Sequence, residues 1–145
     1  MTQLRSCDRL GSMDTKVMKP LLGSQKLMAF AATRDPALAK AFYGDKLGLQ
    51  FLYDDGFAVV FDANGTTLRI QRVKEVAGAQ YTVLGWEVAD IVAKVKELSS
   101  AGVKFERFGL PDQDEAGIWT APGGAARVAW FKDPDGNTLS ISQHA

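Results

Sequence analysis

Two stretches of this chain spell the same short pattern. Phe61-Asp62-Ala63-Asn64-Gly65-Thr66-Thr67-Leu68-Arg69-Ile70 returns as Phe131-Lys132-Asp133-Pro134-Asp135-Gly136-Asn137-Thr138-Leu139-Ser140-Ile141. Each copy has an aromatic strand end, a tight turn ending in glycine, and a Thr-Leu-X-Ile strand. Further upstream, Leu47-Gly48-Leu49-Gln50-Phe51 is echoed by Ala101-Gly102-Val103-Lys104-Phe105. An internal repeat predicts two like structural units. It also marks equivalent positions, of which Arg69 and Ser140 are the most telling pair, where a shared site would be built.

The elements follow from local chemistry. Lys26 to Thr33 reads as a short apolar strand. Asp35 caps a helix whose first turn takes Pro36, and Leu38, Ala41, Phe42 and Leu47 recur at helical spacing up to Gly48. Gln50 to Tyr53, Phe57 to Asp62 and Thr66 to Val73 read as strands, with Asp54-Asp55-Gly56 and Asn64-Gly65 as the turns between them. The second half repeats the order. Tyr81 to Val88 is a strand, and Ile91, Val92, Val95 and Leu98 mark an amphipathic helix ending at Gly102. Val103 to Arg107, Arg127 to Phe131 and Thr138 to Ser142 are strands. One insertion, Gly109 to Ala126, breaks the symmetry, and a loop of that length is usually functional or mobile. Trp119 within it suggests a lid or a dimer contact.

The pattern predicts an α+β fold of two tandem βαβββ modules, spanning 26–73 and 80–143, in a single domain of residues 26–145. The modules set their strands edge to edge as one curved mixed sheet, with helices outside and a trough inside. Residues 1–25 read as a leader, flexible or an arm to a second subunit. With 145 residues, 46% of them apolar, the chain can bury a real core. Lys plus Arg equals Asp plus Glu at 17 each, which gives no pull toward nucleic acid or membrane. No apolar run approaches a membrane span, and Arg5, Asp8 and Arg9 stand where a signal peptide needs apolar residues, so the expected location is cytoplasmic. The single Cys7 can form no intrachain disulfide.

The motifs Thr33-Arg34-Asp35-Pro36, Phe42-Tyr43, Leu47-Gly48-Leu49 and Trp130-Phe131-Lys132-Asp133-Pro134-Asp135-Gly136-Asn137-Thr138-Leu139 resemble the vicinal oxygen chelate superfamily. That superfamily includes glyoxalase I, bleomycin and fosfomycin resistance proteins and extradiol dioxygenases. The resemblance covers about residues 26 to 143. It implies metal-ligand positions on the first and last strand of each module. Here these fall on Met28 and Arg69, and on Thr82 (or Val83, if the register slips) and Ser140. None is a His or a carboxylate. A thioether and a hydroxyl are poor ligands for zinc, iron or manganese, and a guanidinium is none. The only His is His144. No metal and no other cofactor is therefore expected, and metal-dependent glyoxalase or dioxygenase activity is not.

Arg69 and Gln71 alternate with Leu68 and Ile70, so they face the trough if the apolar pair faces the helices. Arg69 is either held by a structural carboxylate, Glu87 or Glu106, or free to clamp an anion or carbonyl group. Met28, Phe30, Thr82, Leu84, Trp86, Trp119 and Trp130 are candidates for an apolar lining or for plain core. Gly85 inside a strand marks a close approach. Asp133-Pro134-Asp135-Gly136 reads as a β-turn. A Ser-His-Asp triad would have to recruit His144, and no phosphate-binding glycine loop is present. The function expected is metal-free binding of a small, partly apolar organic ligand, open to a carboxylate or other oxyanion. The ligand-binding residues are Met28, Phe30, Arg69, Gln71, Thr82, Trp86, Trp119 and Ser140. No catalytic residue is assigned. The alternatives are a divergent lyase, isomerase or dioxygenase-type enzyme using Arg69, Tyr53 or Ser140, or an interaction domain with a filled trough. The resemblance also implies a homodimer, and the charge balance and hydropathy point to no nucleic-acid or membrane partner.

Overall fold

The computed structural model describes residues 19–145. Cys7 and most of the expected leader lie outside the described residues. The first module runs β1 (Met28–Thr33), α1 (Pro36–Lys40), β2 (Gln50–Asp54), β3 (Ala58–Ala63) and β4 (Thr66–Arg72). The second runs β5 (Thr82–Glu87), α2 (Ile91–Ser100), β6 (Trp119–Thr120), β7 (Ala126–Lys132) and β8 (Thr138–His144). The sheets have the same order, β1-β4-β3-β2 and β5-β8-β7-β6. In each, the first strand lies parallel to the last and the remaining pairs are antiparallel. The repeat carries through to register: Met28 pairs with Thr67 as Thr82 pairs with Thr138. The α+β fold of two tandem modules is as expected, and its strands form two four-stranded mixed sheets, with no hydrogen bonding from β1 to β5.

Side-chain caps start both helices. Asp35 Oδ1 accepts from the backbone N–H groups of Ala37 and Leu38, and Asp90 Oδ1 from that of Ala93. Beyond α1 the chain widens into a π-helical turn over Ala41–Lys46, where Leu47 N–H donates to Phe42 C=O. The adjacent Phe42 and Tyr43 are both buried there. They join Phe61, Leu68 and Ile70 of the first sheet and Phe131, Leu139 and Ile141 of the second in one core. At the hairpin between β3 and β4, Asn64 and Gly65 both take positive φ, 53° and 95°, as a tight two-residue turn demands.

The second sheet corrects one expectation. Val103 to Arg107 is not a strand: only Phe105 bridges to Phe131, and Glu106 N–H donates to Trp130 C=O. The fourth strand is supplied by the insertion, whose Trp119 and Thr120 pair with Val128 and Arg127. Trp119 is thus a sheet residue and not the tip of a lid. The insertion is internally stapled. Gln113 bonds the backbone of Glu106, Phe108 and Gly117, and Asp114 accepts from Ala116 and Ile118 N–H.

The turn between β7 and β8 is a turn, as expected, and also the bolt between modules. The buried Asp133 carboxylate accepts from Tyr43 Oη at 2.7 Å, from Asn137 Nδ2, and from the backbone N–H groups of Asp135 and Asn137. Asn137 Nδ2 also donates to Ala32 C=O, and Arg34 N–H donates to Asp135 Oδ1. Burial first, and then the Asp133 carboxylate, hold the Tyr43 phenol far above its ordinary range, so it stays a donor.

Candidate functional site

Strand pairing decides which side chains share the open face, away from the helices, because cross-strand partners point the same way. In the first module Phe30, Arg69 and Val60 are successive partners across β1, β4 and β3. Tyr53, which pairs with Val60 beyond a bulge in β2, completes the row. Ala32, Gln71 and Ala58 form the next row, and Met28, Thr67, Asp62 and Gln50 the one before. Leu68 and Ile70 are buried on the other side, as their alternation with Arg69 and Gln71 requires. Met28, Phe30 and Tyr53 remain nearly half exposed.

Arg69 has a partner, and it is neither Glu87 nor Glu106. Its Nη2 donates to Asp55 Oδ2 at 2.7 Å. Asp55 sits in the turn between β2 and β3, and its Oδ1 accepts from Phe57 and Ala58 N–H. The Arg69 hydrogen bond, followed by the Phe57 N–H, lowers the Asp55 carboxyl to about 2. Asp55 in turn raises Arg69, with the Tyr53 phenol beside the guanidinium as a smaller contributor. Arg72, on the opposite parity of β4, pairs with Asp54.

In the second module the equivalent row is Gly85, Ser140 and Trp130. A Cβ on Gly85 would lie 2.9 Å from Ser140 Oγ, so the glycine is what leaves room for that hydroxyl. This is the close approach that a glycine within a strand predicts. Trp119 and Val128 share the face, and Trp130 packs between Phe108 and Trp119, with ring centroids at 5.5 and 6.1 Å. Thr82 is on this face as well, opposite Thr138. His144 lies two residues beyond Ser142, and its Nε2 is 3.1 Å from Ser142 Oγ. Among the described residues no carboxylate hydrogen-bonds that ring, so no triad is assembled.

Two predicted lining residues are elsewhere. A bulge at Val83 inserts one extra residue into β5, so Leu84 and Trp86 pair with Leu139 and Ile141 and turn to the helix side. Trp86 there lines an apolar hollow of about 330 Å³ with Leu47, Leu49, Leu98 and Phe131. On the open side, a shallower hollow of about 340 Å³ spans the seam between modules. Phe30, Ala32 and Gln71 line it from the first module, and Val83 and Asn137 from the second. The linker from Glu75 to Ala79 lines it as well. Phe30 and Gln71 are thus brought together with the second module, and Arg69 lies one row from Gln71. Sequence reasoning missed the linker, Phe108 and Asp55.

The donor set Met28, Arg69, Thr82 and Ser140 does not fit a divalent ion. Among the described residues no group of three or more His, Cys, Asp or Glu side chains is placed to hold one. Among the described residues no helix is long and apolar enough to cross a membrane.

Comparison with known proteins accords with this architecture. The family profile for the Glyoxalase/Bleomycin resistance protein/Dioxygenase superfamily matches residues 27–141. No curated protein sequence matches significantly. Among solved structures, a glyoxalase/bleomycin resistance protein from Catenulispora acidiphila is similar at 25% identity and a TM-score of 0.63, over 84% of this chain and 100% of that one. A genomically encoded fosfomycin resistance protein from Listeria monocytogenes reaches a TM-score of 0.67 at 14% identity, over 84% and 94% of the two chains. A lactoylglutathione lyase from Agrobacterium tumefaciens gives 0.60 at 19% identity, over 82% and 93%. At 14% and 19% identity the likeness concerns the fold alone. The chain belongs to the Glyoxalase/Bleomycin resistance protein/Dioxygenase superfamily.

Proposed function

We propose that this chain binds a small, partly apolar organic molecule on the open side of its two sheets, without a metal ion. The observation that carries the reading is the pairing of matched slots. Arg69 and Ser140 occupy equivalent positions, each a hydrogen-bonding group set among aromatic side chains, and neither is a metal ligand. Met28, Phe30, Gln71, Thr82, Trp119, Trp130 and Phe108 supply the walls, and the seam hollow supplies the space. Trp86 has no part in it. The anionic preference expected of Arg69 loses its motive, because Asp55 already answers the charge. The half-exposed side chains Met28, Phe30 and Tyr53 of this face support a homodimer that covers part of it. Light scattering that shows only monomer at micromolar concentration would count against that assembly.

The test is a thermal-shift screen of small organic compounds with and without added divalent metals. A ligand of the native state raises the melting temperature by mass action. The reading expects hits whose shifts do not depend on metal. Hits that vanish with chelator would overturn it. One observation favours a second reading: the Tyr53 phenol beside Arg69 is a proton donor next to a carbonyl-binding group. Turnover of a bound hit, lost in Tyr53→Phe with binding retained, would make the site a metal-free lyase or isomerase.

A further inference from the structure

The charges on the first module's open face bear on what kind of ligand it accepts. Arg69 is the cation of the row Phe30, Arg69, Val60 and Tyr53, and its side chain is 19% exposed. Asp55 Oδ2 holds one edge of the guanidinium at 2.7 Å. Asp55 is not free to swing away, because its other oxygen accepts the Phe57 and Ala58 N–H groups at 2.9 and 3.0 Å. The carboxylate is therefore fixed by its own turn, independently of Arg69. A guanidinium has five N–H donors, so the pair leaves donors unspent. Asp62 shares the open face one row away and adds negative charge. Lys132, partner of Thr138, is a cation on the second module's face.

An incoming carboxylate on the unspent edge of the guanidinium is attracted by Arg69 and repelled, at longer range, by Asp55, so part of the attraction is offset while the carboxylate's desolvation cost stays whole. A neutral acceptor such as an amide, ketone or sulfoxide oxygen takes the unspent N–H groups without that repulsion. We propose that Asp55 is a specificity-determining residue of the open face, which neutralises Arg69 so that the site selects neutral hydrogen-bond acceptors on an aromatic body over the matching acids. The inference rests on the binding reading above and names the ligand class within it.

The probes are 2-naphthamide and 2-naphthoate, titrated at pH 7 into wild-type protein and Asp55→Asn, with affinity and chemical-shift changes both recorded. Asparagine keeps an acceptor for Phe57 and Ala58 N–H, so the turn is preserved. Wild-type protein should favour the amide, and the carboxylate-to-amide affinity ratio should rise about tenfold in Asp55→Asn, about 1.4 kcal/mol. Asp55→Ser keeps a hydroxyl cap and gives the same readout if the Asn variant fails to fold. Arg69→Gln reads the balance from the other side and should lower the ratio below wild type. A wild-type preference for the carboxylate, or a ratio unmoved by all three variants, overturns the charge assignment and leaves the binding reading standing. Failure of both probes to shift any open-face residue overturns the binding reading and this inference with it.

Discussion

Arg69 and Ser140 stand at one place in two copies of one module, yet their surroundings have diverged in opposite directions. In the first module the slot is charged, and a turn aspartate that shares no strand with it answers the charge. In the second the slot is a hydroxyl, 8% exposed, beside a glycine that leaves room for it and a tryptophan flanked by two further aromatic rings. The turns have diverged as well. Asn64-Gly65 closes a minimal hairpin, whereas the Asp133 turn bolts the second module to the first. The scaffold is conserved between halves because strand pairing and the helix-side core fix it. The open faces owe nothing to that core, so they were free to specialise.

The turns give the largest predicted contrast. Asp133→Ala strands the Tyr43 hydroxyl and the Asn137 donors inside the core, and should cost about 3 kcal/mol or more in urea denaturation. Asp62→Ala, which loses a 3.2 Å bond to Gly65 N–H on the exposed hairpin, should cost about 0.5 kcal/mol. Equal losses would show that the two turns do the same work.

Gly85→Ala comes next. The added Cβ meets Ser140 Oγ at 2.9 Å, and such overpacking should cost about 1–3 kcal/mol. Ser140→Gly in the same chain should restore most of it. A neutral Gly85→Ala would mean that Ser140 turns away, and the tight second slot would be lost from the comparison.

The smallest effect is electrostatic. The ordinary Asp value of 3.8 falls to about 2 at Asp55. The folded value is depressed, so the contribution of the pair to stability is fully present above about pH 4. It is lost as the pH falls through about 2. Carboxyl carbon shifts should therefore place the Asp55 midpoint near 2 in wild-type protein and nearer its ordinary value in Arg69→Met. A midpoint near 4 in wild-type protein would dissolve the pair.

These contrasts also show what the sequence could convey. The modules were legible because a repeat and a strict alternation, Leu68 and Ile70 against Arg69 and Gln71, leave few ways to fold. The first helix start was legible from Asp35-Pro36, and the second helix from the spacing of Ile91, Val92, Val95 and Leu98. The bulge at Val83 was not, since an extra residue in a strand has no side-chain signature, yet it turns Leu84 and Trp86 from the open face to the helix side. Asp55 was hidden for another reason. Asp-Gly explains itself locally as a turn, and only the hairpin register carries it to an arginine fourteen positions on. Trp119 looked like a loop residue because Gly117 and Pro122 flank it, and it became an edge strand because β7 offered an unpaired edge.

The central claim is that the ligand site is the open face of both sheets and not the deeper apolar hollow on the helix side. An amide-and-methyl NMR titration with 2-naphthamide tests it most directly. Shifts should concentrate at Phe30, Arg69, Gln71, Thr82, Trp130 and Ser140, with Leu47, Trp86 and Leu98 unmoved. Shifts confined to Leu47, Trp86 and Leu98 would place the ligand in the helix-side hollow and contradict the account.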